Sequence, residues 1–329
     1  MDPSTLPGGP GNLAMEATDA RLAGRVRDLV TALSDIGPRP CGSAGHAAAR
    51  DLLSDALVAA GAHPYRDGVL QVPHADVANL LAVVPGRERH CRPLVLATHY
   101  DGPPDSPAAG DNGAAVALAV ELCPLLAARR LEHDVIIALL DGGDRQCRQQ
   151  HPRAPHGAQV FVREQRRHDL KAAIVVDRLG HRPTPTPAPP LLVIGAECDP
   201  RMPLLVASLH ARAPAIAPVA RRALALAPCL DAFRDQAIAS LWLTGGRAPH
   251  HRSPGDLPAL LDDAVLTGTA RHLLSLLERL TTTRLPGPFG DHAAFDLDRR
   301  AWQRWSQQPV VDAAELRRLV GTVLPRLAG

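Results

Sequence analysis

Short apolar runs recur along this chain, and several are almost unbroken. Leu94–Ala97, Val135–Leu140, Ala173–Val176 and Ile238–Leu243 carry little or no polar alternation. Runs of that length and character are strands buried on both faces, as in a mostly parallel sheet covered by helices. Only Gln71–Leu81 has mixed character, which suits an antiparallel hairpin at a sheet edge. The pattern predicts strands near 66–72, 78–84, 93–98, 134–140, 172–176, 190–194 and 238–243. Helical spacing takes over between them. Leu22, Val26, Leu29, Val30 and Leu33 share one helix face, and a second helix spans about Gly45 to Ala60 with Gly61 placed to stop it. Further helices are predicted near 112–129, 157–168, 200–212, 229–236 and 258–280. The fold class is therefore α/β: a mixed, mostly parallel sheet sandwiched between helices.

The ends differ in character. Residues 1–18 are rich in Pro, Gly, Ser and Asp and are expected to be disordered. A Pro/Gly break at Pro286–Gly290 precedes a short helix, Ala313–Leu324, so 281–329 reads as a small C-terminal appendix to a main domain over 19–280.

Composition narrows the function classes. A net charge of +2 with 21% charged residues offers no electrostatic footprint for nucleic acid or an anionic membrane. No window reaches about 18 uninterrupted apolar residues, so no membrane span is expected. The cysteines at 41, 91, 123, 147, 198 and 229 show no Cys-x-x-Cys spacing, which argues against a zinc ribbon and leads to the expectation that they are reduced. With no basic stretch leading an apolar run at the N-terminus, the expected location is the cytoplasm. No Gly-x-Ser-x-Gly, Gly-x-Gly-x-x-Gly or Walker loop occurs, which removes serine-hydrolase and nucleotide-site readings.

The chemistry gathers just past the apolar strands. His99 and Asp101 follow the strand from Leu94, and Asp111 opens the next helix. Asp141 and Asp144 follow Leu140, Asp177 follows Val176, and His250 and His251 follow the strand ending at Leu243. Parallel strands bring all of these to one carboxyl edge, where open α/β sheets bind ligands. Imidazole and carboxylate are the donors zinc takes, and a carboxylate can bridge two ions.

The order of these motifs resembles the zinc aminopeptidase and glutaminyl cyclase superfamily: His-x-Asp, Gly-Asp-Asn-Gly, strand-Asp-Gly, strand-Asp-x-x-Gly, then a late His before Asp256. Gly37–His46 and Ala78-Asn-Leu-Leu81 also look like that family's segments, and the resemblance covers roughly 21–280. It implies a zinc exopeptidase-like fold with one or two zinc ions and a peptide or small amide substrate. Carried over by position, His99, Asp111 and Asp177 would hold one ion, and Asp111, Asp144 and His251 the second, with His250 the alternative late ligand. Asp101 would accept a hydrogen bond from His99 and fix its tautomer.

One departure stands out. Where the family has two adjacent glutamates, a general base and a metal ligand, this chain has Gly143 and Asp144. A general base contributes typically ~10²–10⁴-fold, and Asp144 is shorter than glutamate by about 1.5 Å. The run Pro228–Phe233 also lacks the family's Ser-Asp-His or Ser-Asp-Tyr pattern. Three readings follow: a zinc-dependent hydrolase of the aminopeptidase type, weakened at Gly143, with Asp144 free to act as the base if it is not a ligand; a non-catalytic binding or regulatory protein on the same fold; and a glutaminyl cyclase-like acyl transferase. On the first reading, a glutamate at 143 is expected to raise turnover.

Overall fold

The computed structural model describes residues 10–71, 78–150, 156–165, 170–181, 191–209, 214–224, 227–287 and 295–323. Its elements in chain order are α1 (Pro10–Asp35), α2 (Ala44–Ala59), β1 (His63–Gln71), β2 (Ala78–Val84), β3 (Leu94–His99), α3 (Ala114–Glu121), α4 (Cys123–Arg129), β4 (Val135–Leu140), α5 (Arg145–Gln150), α6 (Gly157–Glu164) and β5 (Ala172–Asp177). They continue as β6 (Leu191–Ile194), α7 (Met202–Ala207), β7 (Ile216–Val219), α8 (Pro228–Asp235), β8 (Ala239–Thr244), α9 (Asp263–Thr282), α10 (Phe295–Ser306) and α11 (Ala313–Val323).

The strands form one eight-stranded sheet in the order β1-β2-β4-β3-β5-β8-β6-β7. Its centre, β4-β3-β5-β8, is parallel, and antiparallel pairs join β1 to β2, β2 to β4 and β6 to β8. The unbroken apolar runs are explained by burial on both faces. Along β3, Leu94 and Leu96 face a core with α1, α2, α3 and α9, while Val95 and Ala97 face a second core with α6, α8 and α10. β4 divides the same way: Val135, Ile137 and Leu139 to the first core, Ile136, Ala138 and Leu140 to the second.

Register then aligns the strand ends. His99 pairs with Leu140 of β4, and Asp177 pairs with Thr244 of β8. The β3–β5 register, running from Leu94↔Ala172 to Ala97↔Val175, carries His99 to the level of Asp177.

Several elements differ from the sequence expectation. β7 escapes prediction because it is four residues long and contains Pro218, which sheets tolerate at an edge. The apolar stretch expected as one helix is broken after Leu122. Pro124, which has no N–H, sits in the first turn of α4. Ala109–Arg129 is long and apolar enough to cross a membrane by composition, yet it is mostly buried inside the protein. α1 begins at Pro10, so part of the stretch expected to be disordered is helical; residues 1–9 lie outside the described residues. Beyond residue 281, α10 inserts Trp302 into the second core. Trp302 is fully buried, and its Nε1 donates to Pro218 O of β7 at 2.8 Å.

The expectation of reduced cysteines is corrected at one pair. Cys41 and Cys147 form a disulfide across 106 residues, while Cys91, Cys123, Cys198 and Cys229 are free. Spacing could not reveal it, because the fold alone brings the segment before α2 against α5.

Candidate metal centre

The turn after β3 is held from several sides. Arg39, buried to 1% exposure, donates through Nη1 to Leu33 O at 3.0 Å and Pro107 O at 2.9 Å, and through Nη2 to Ala108 O at 3.2 Å. Burial pulls its pKa down to about 10 against the pull of Asp256, Asp101 and Asp111. Asp256 takes the backbone N–H groups of Gly110 (2.8 Å) and Asp111 (3.0 Å) on its two oxygens. Asn112, joined to Asp111 by a cis peptide bond, donates to Thr98 Oγ1 at 2.7 Å and accepts from Arg178 N at 2.9 Å. These contacts fix where the Asp111 carboxylate points.

That carboxylate meets the ends of β3 and β5. His99, Asp111 and Asp177 each offer a ligand atom, all within 4.8 Å of one another. Asp101 accepts from His99 Nδ1 at 3.2 Å, which leaves Nε2 facing Asp177 Oδ1 at 3.7 Å. Among the described residues Asp177 Oδ1 is buried without a hydrogen-bond partner, an arrangement open to a cation. Asp111 gives the same signal: burial and the nearby Asp177 carboxylate push it up to about 7, against the opposing charges of His99 and Arg178. The Asp101 and Asp177 carboxylates raise the His99 imidazole well above its ordinary range although burial works the other way. Two carboxylates and one imidazole crowded at the ends of two strands are donors that fit a divalent cation.

The second half of the expected ligand set is arranged differently. His251 Nδ1 stands 3.3 Å from Asp111 Oδ2, and burial together with the charge of Arg178 pushes it down to about 3, so it is a neutral imidazole. His250 instead packs edge-on against His181, ring centroids 4.9 Å apart. Asp144, expected as a ligand of a second ion, is paired with Arg252: one oxygen takes Nη1, and Oδ1 takes Nη2 at 3.3 Å. A guanidinium therefore holds the carboxylate that a second ion would need. The Asp144 backbone N–H and that of Gly143 donate to Asp101 at 2.7 and 3.0 Å, so the loop after β4 is tied to the residue that orients His99.

Gly143 explains itself sterically. A Cβ there would lie 2.6 Å from His99 Cβ and 2.7 Å from His99 Cγ. A glutamate at 143, expected on the hydrolase reading to raise turnover, would bring its first carbon against the root of the His99 side chain, so His99 or the loop must shift to admit it. Asp141 also turns inward. It binds His46 Nε2 (2.8 Å), the Tyr100 hydroxyl (2.7 Å) and Ala78 N (2.7 Å), and so braces the loop from behind.

Residues 79–248 match the sequence model of the family described as peptidase family M28. The chain belongs to peptidase family M28. Solved structures share this M28 fold at low identity. A leucine aminopeptidase precursor from Bacteroides thetaiotaomicron is 17% identical with a TM-score of 0.62, over 78% of this chain and 96% of that one. A Porphyromonas gingivalis glutaminyl cyclase is 19% identical with a TM-score of 0.60, over 78% and 98%. The LapA aminopeptidase of Legionella pneumophila is 14% identical with a TM-score of 0.66, over 83% and 76%. A search of curated proteins finds no match.

Sequence reasoning passed over Arg178, Arg252 and Arg39. Arg178 and Arg252 each directly follow a nominated ligand, but nothing local marks an arginine that turns back on its neighbour's carboxylate or reaches a loop 108 residues away.

Proposed function

We propose that this M28 protein is a single-ion, zinc-dependent hydrolase of the aminopeptidase type, acting slowly on peptides or small amides. The observation that carries the reading is the triad of His99, Asp111 and Asp177, with the Asp177 Oδ1 atom buried and without a hydrogen-bond partner among the described residues. His251 is the nearest further imidazole, beside Asp111. A zinc ion bound there supplies Lewis-acid activation of a carbonyl and of water. The chain's own contribution is positional. Asp101 holds the His99 ring with Nε2 turned inward. Asp256 and Asn112 hold Asp111. Gly143 offers no carboxylate for proton transfer, and Asp144 is engaged by Arg252, so turnover is expected well below that of an enzyme with a positioned general base.

The test couples metal content to turnover. Protein purified without an affinity metal or chelator should carry one zinc per chain, lose it on His99→Ala, and hydrolyse members of a panel of aminoacyl chromogenic substrates and short peptides only with zinc present. Two zincs per chain would contradict the single-ion site. No zinc after incubation with the metal would end the hydrolase reading.

A second reading, a non-catalytic binding protein on the same fold, is favoured by the packing of Gly143 onto His99, which leaves no room for a base. One tightly held zinc with no turnover on any panel member would select it. N-terminal glutaminyl peptides in the same panel test acyl transfer of the cyclase kind.

A further inference from the structure

The disulfide lies against a carboxylate of the candidate centre. Cys41, in the turn before α2, and Cys147, on α5, are joined with their Cα atoms 5.8 Å apart. Asp101 completes the group: one of its oxygens and the two sulfurs all lie within 4.8 Å of one another. Cys41 Sγ stands 3.5 Å from Asp101 Oδ2. Asp101 and Cys147 are buried and Cys41 is half-buried, so solvent reaches the cross-link from the Cys41 side. His46 and Asp141 also neighbour the Cys41 sulfur, but the Asp141 carboxylate is filled by His46, Tyr100 and the N–H groups of Ala78 and Gly142. Asp101 is used differently. Oδ1 accepts from His99 Nδ1 and Gly143 N, while Oδ2 takes the Asp144 N–H and faces Cys41 with its remaining acceptor capacity.

We propose that reduction of the Cys41–Cys147 disulfide opens a second metal site, in which Cys41, Cys147 and Asp101 bind zinc through two thiolates and one carboxylate oxygen. On one tetrahedral zinc, a sulfur at ~2.3 Å and an oxygen at ~2.0 Å stand about 3.5 Å apart, which is the Cys41–Asp101 separation. Two sulfurs on that ion stand about 3.8 Å apart. Side chains on Cα atoms 5.8 Å apart reach that span by rotation about χ1. Thiolate ligands select zinc over magnesium or calcium. A dithiol attacks the disulfide and closes to its own disulfide, leaving two electrons and two protons on Cys41 and Cys147 as thiols. The ion then takes the sulfurs as thiolates and releases those two protons. With the disulfide intact the sulfurs hold no ion, and the one zinc expected above is that of the triad. Asp101 keeps Oδ1 on His99 while Oδ2 binds the second ion, so the redox state of the cysteine pair reaches a ligand of the triad through one carboxylate. The thiolate site does not depend on the hydrolase reading.

Cobalt(II) is the probe, because thiolate ligation gives it an intense near-ultraviolet charge-transfer band that nitrogen and oxygen ligands do not. The full chain is reduced with a water-soluble trialkylphosphine, whose phosphorus takes the oxygen of water while the two sulfurs take its protons. The oxidised chain should bind one cobalt without the band, and the reduced chain two with it. Cys41→Ser/Cys147→Ser, treated with the same phosphine, should bind one without the band. His99→Ala should bind none when oxidised and one, with the band, when reduced. If the triad holds no ion, the oxidised parent binds none and the reduced parent one, so the two readings fail separately. Cobalt should also raise the melting temperature of the reduced parent more than that of the double variant, since it restores a cross-link only in the parent. Three results would each overturn the proposal: no added ion on a chain whose thiol count has risen by two, a band that persists in the double variant, or equal rises in melting temperature.

Discussion

The backbone of Gly143 lies directly against the side chain of His99, with room for a hydrogen but not for a Cβ, which would sit 2.6 Å from His99 Cβ. Residue 143 is thus a spacer that sets the position of a nominated ligand. Gly143→Glu, and Gly143→Ala as the minimal version, should displace His99 or the loop through Asp144. Overpacking of this kind costs typically ~1–3 kcal/mol. Zinc affinity should fall by about 10–100-fold, the size of effect seen when a ligand loses its orientation. Competition with a chromogenic chelator and a thermal melt measure the two effects; a gain in turnover with zinc retained would contradict the packing.

The Cys41–Cys147 disulfide ties the segment before α2 to α5, just past the loop that carries Gly143 and Asp144. Closing a loop of 106 residues restricts the unfolded chain, typically by ~2–4 kcal/mol. Cys41→Ser/Cys147→Ser should lower the urea midpoint by a corresponding amount, and dithiothreitol should shift the parent by the same amount while leaving the double variant unmoved.

Trp302 is a stability determinant outside the candidate metal centre. It fills the second core beside β7, and its indole N–H satisfies the Pro218 carbonyl. Trp302→Ala should cost about 3–5 kcal/mol, read by denaturant unfolding. Trp302→Phe keeps most of the volume but strands the carbonyl, and should cost less.

Asp298 on α10 makes stability depend on pH. Burial, with the nearby Glu197 carboxylate, pushes it up to about 7 against the opposing charge of Arg222; an unfolded aspartate titrates near 3.9. The folded chain therefore binds the proton more tightly than the unfolded chain. Its stabilising contribution is full below about pH 4 and is lost as pH rises through about 7. Asp298→Asn should flatten the stability profile between those limits and raise stability most near neutral pH. Urea melts across that window check it; parallel profiles for parent and variant would refute the assignment.

The sequence by itself determined the layers of this protein and the sheet edge at which His99 and Asp177 stand. Strands buried on both faces, such as Val135–Leu140, announce a helix-covered sheet because every position in them must be apolar. His99 and Asp177 were legible because they stand at the polar ends of such runs, where the shared register of β3, β5 and β8 brings them level. Tertiary structure decided the rest. Arg252 finds Asp144 across 108 residues, Cys41 finds Cys147 across 106, and the Gly143 backbone finds His99 across a strand boundary. His251 is singled out from His250 by the path of one loop, which turns one imidazole to Asp111 and the other to His181. Periodicity reports the environment of a residue's own element. The partners of a loop side chain depend on how elements distant in sequence are set side by side, and no local pattern encodes that.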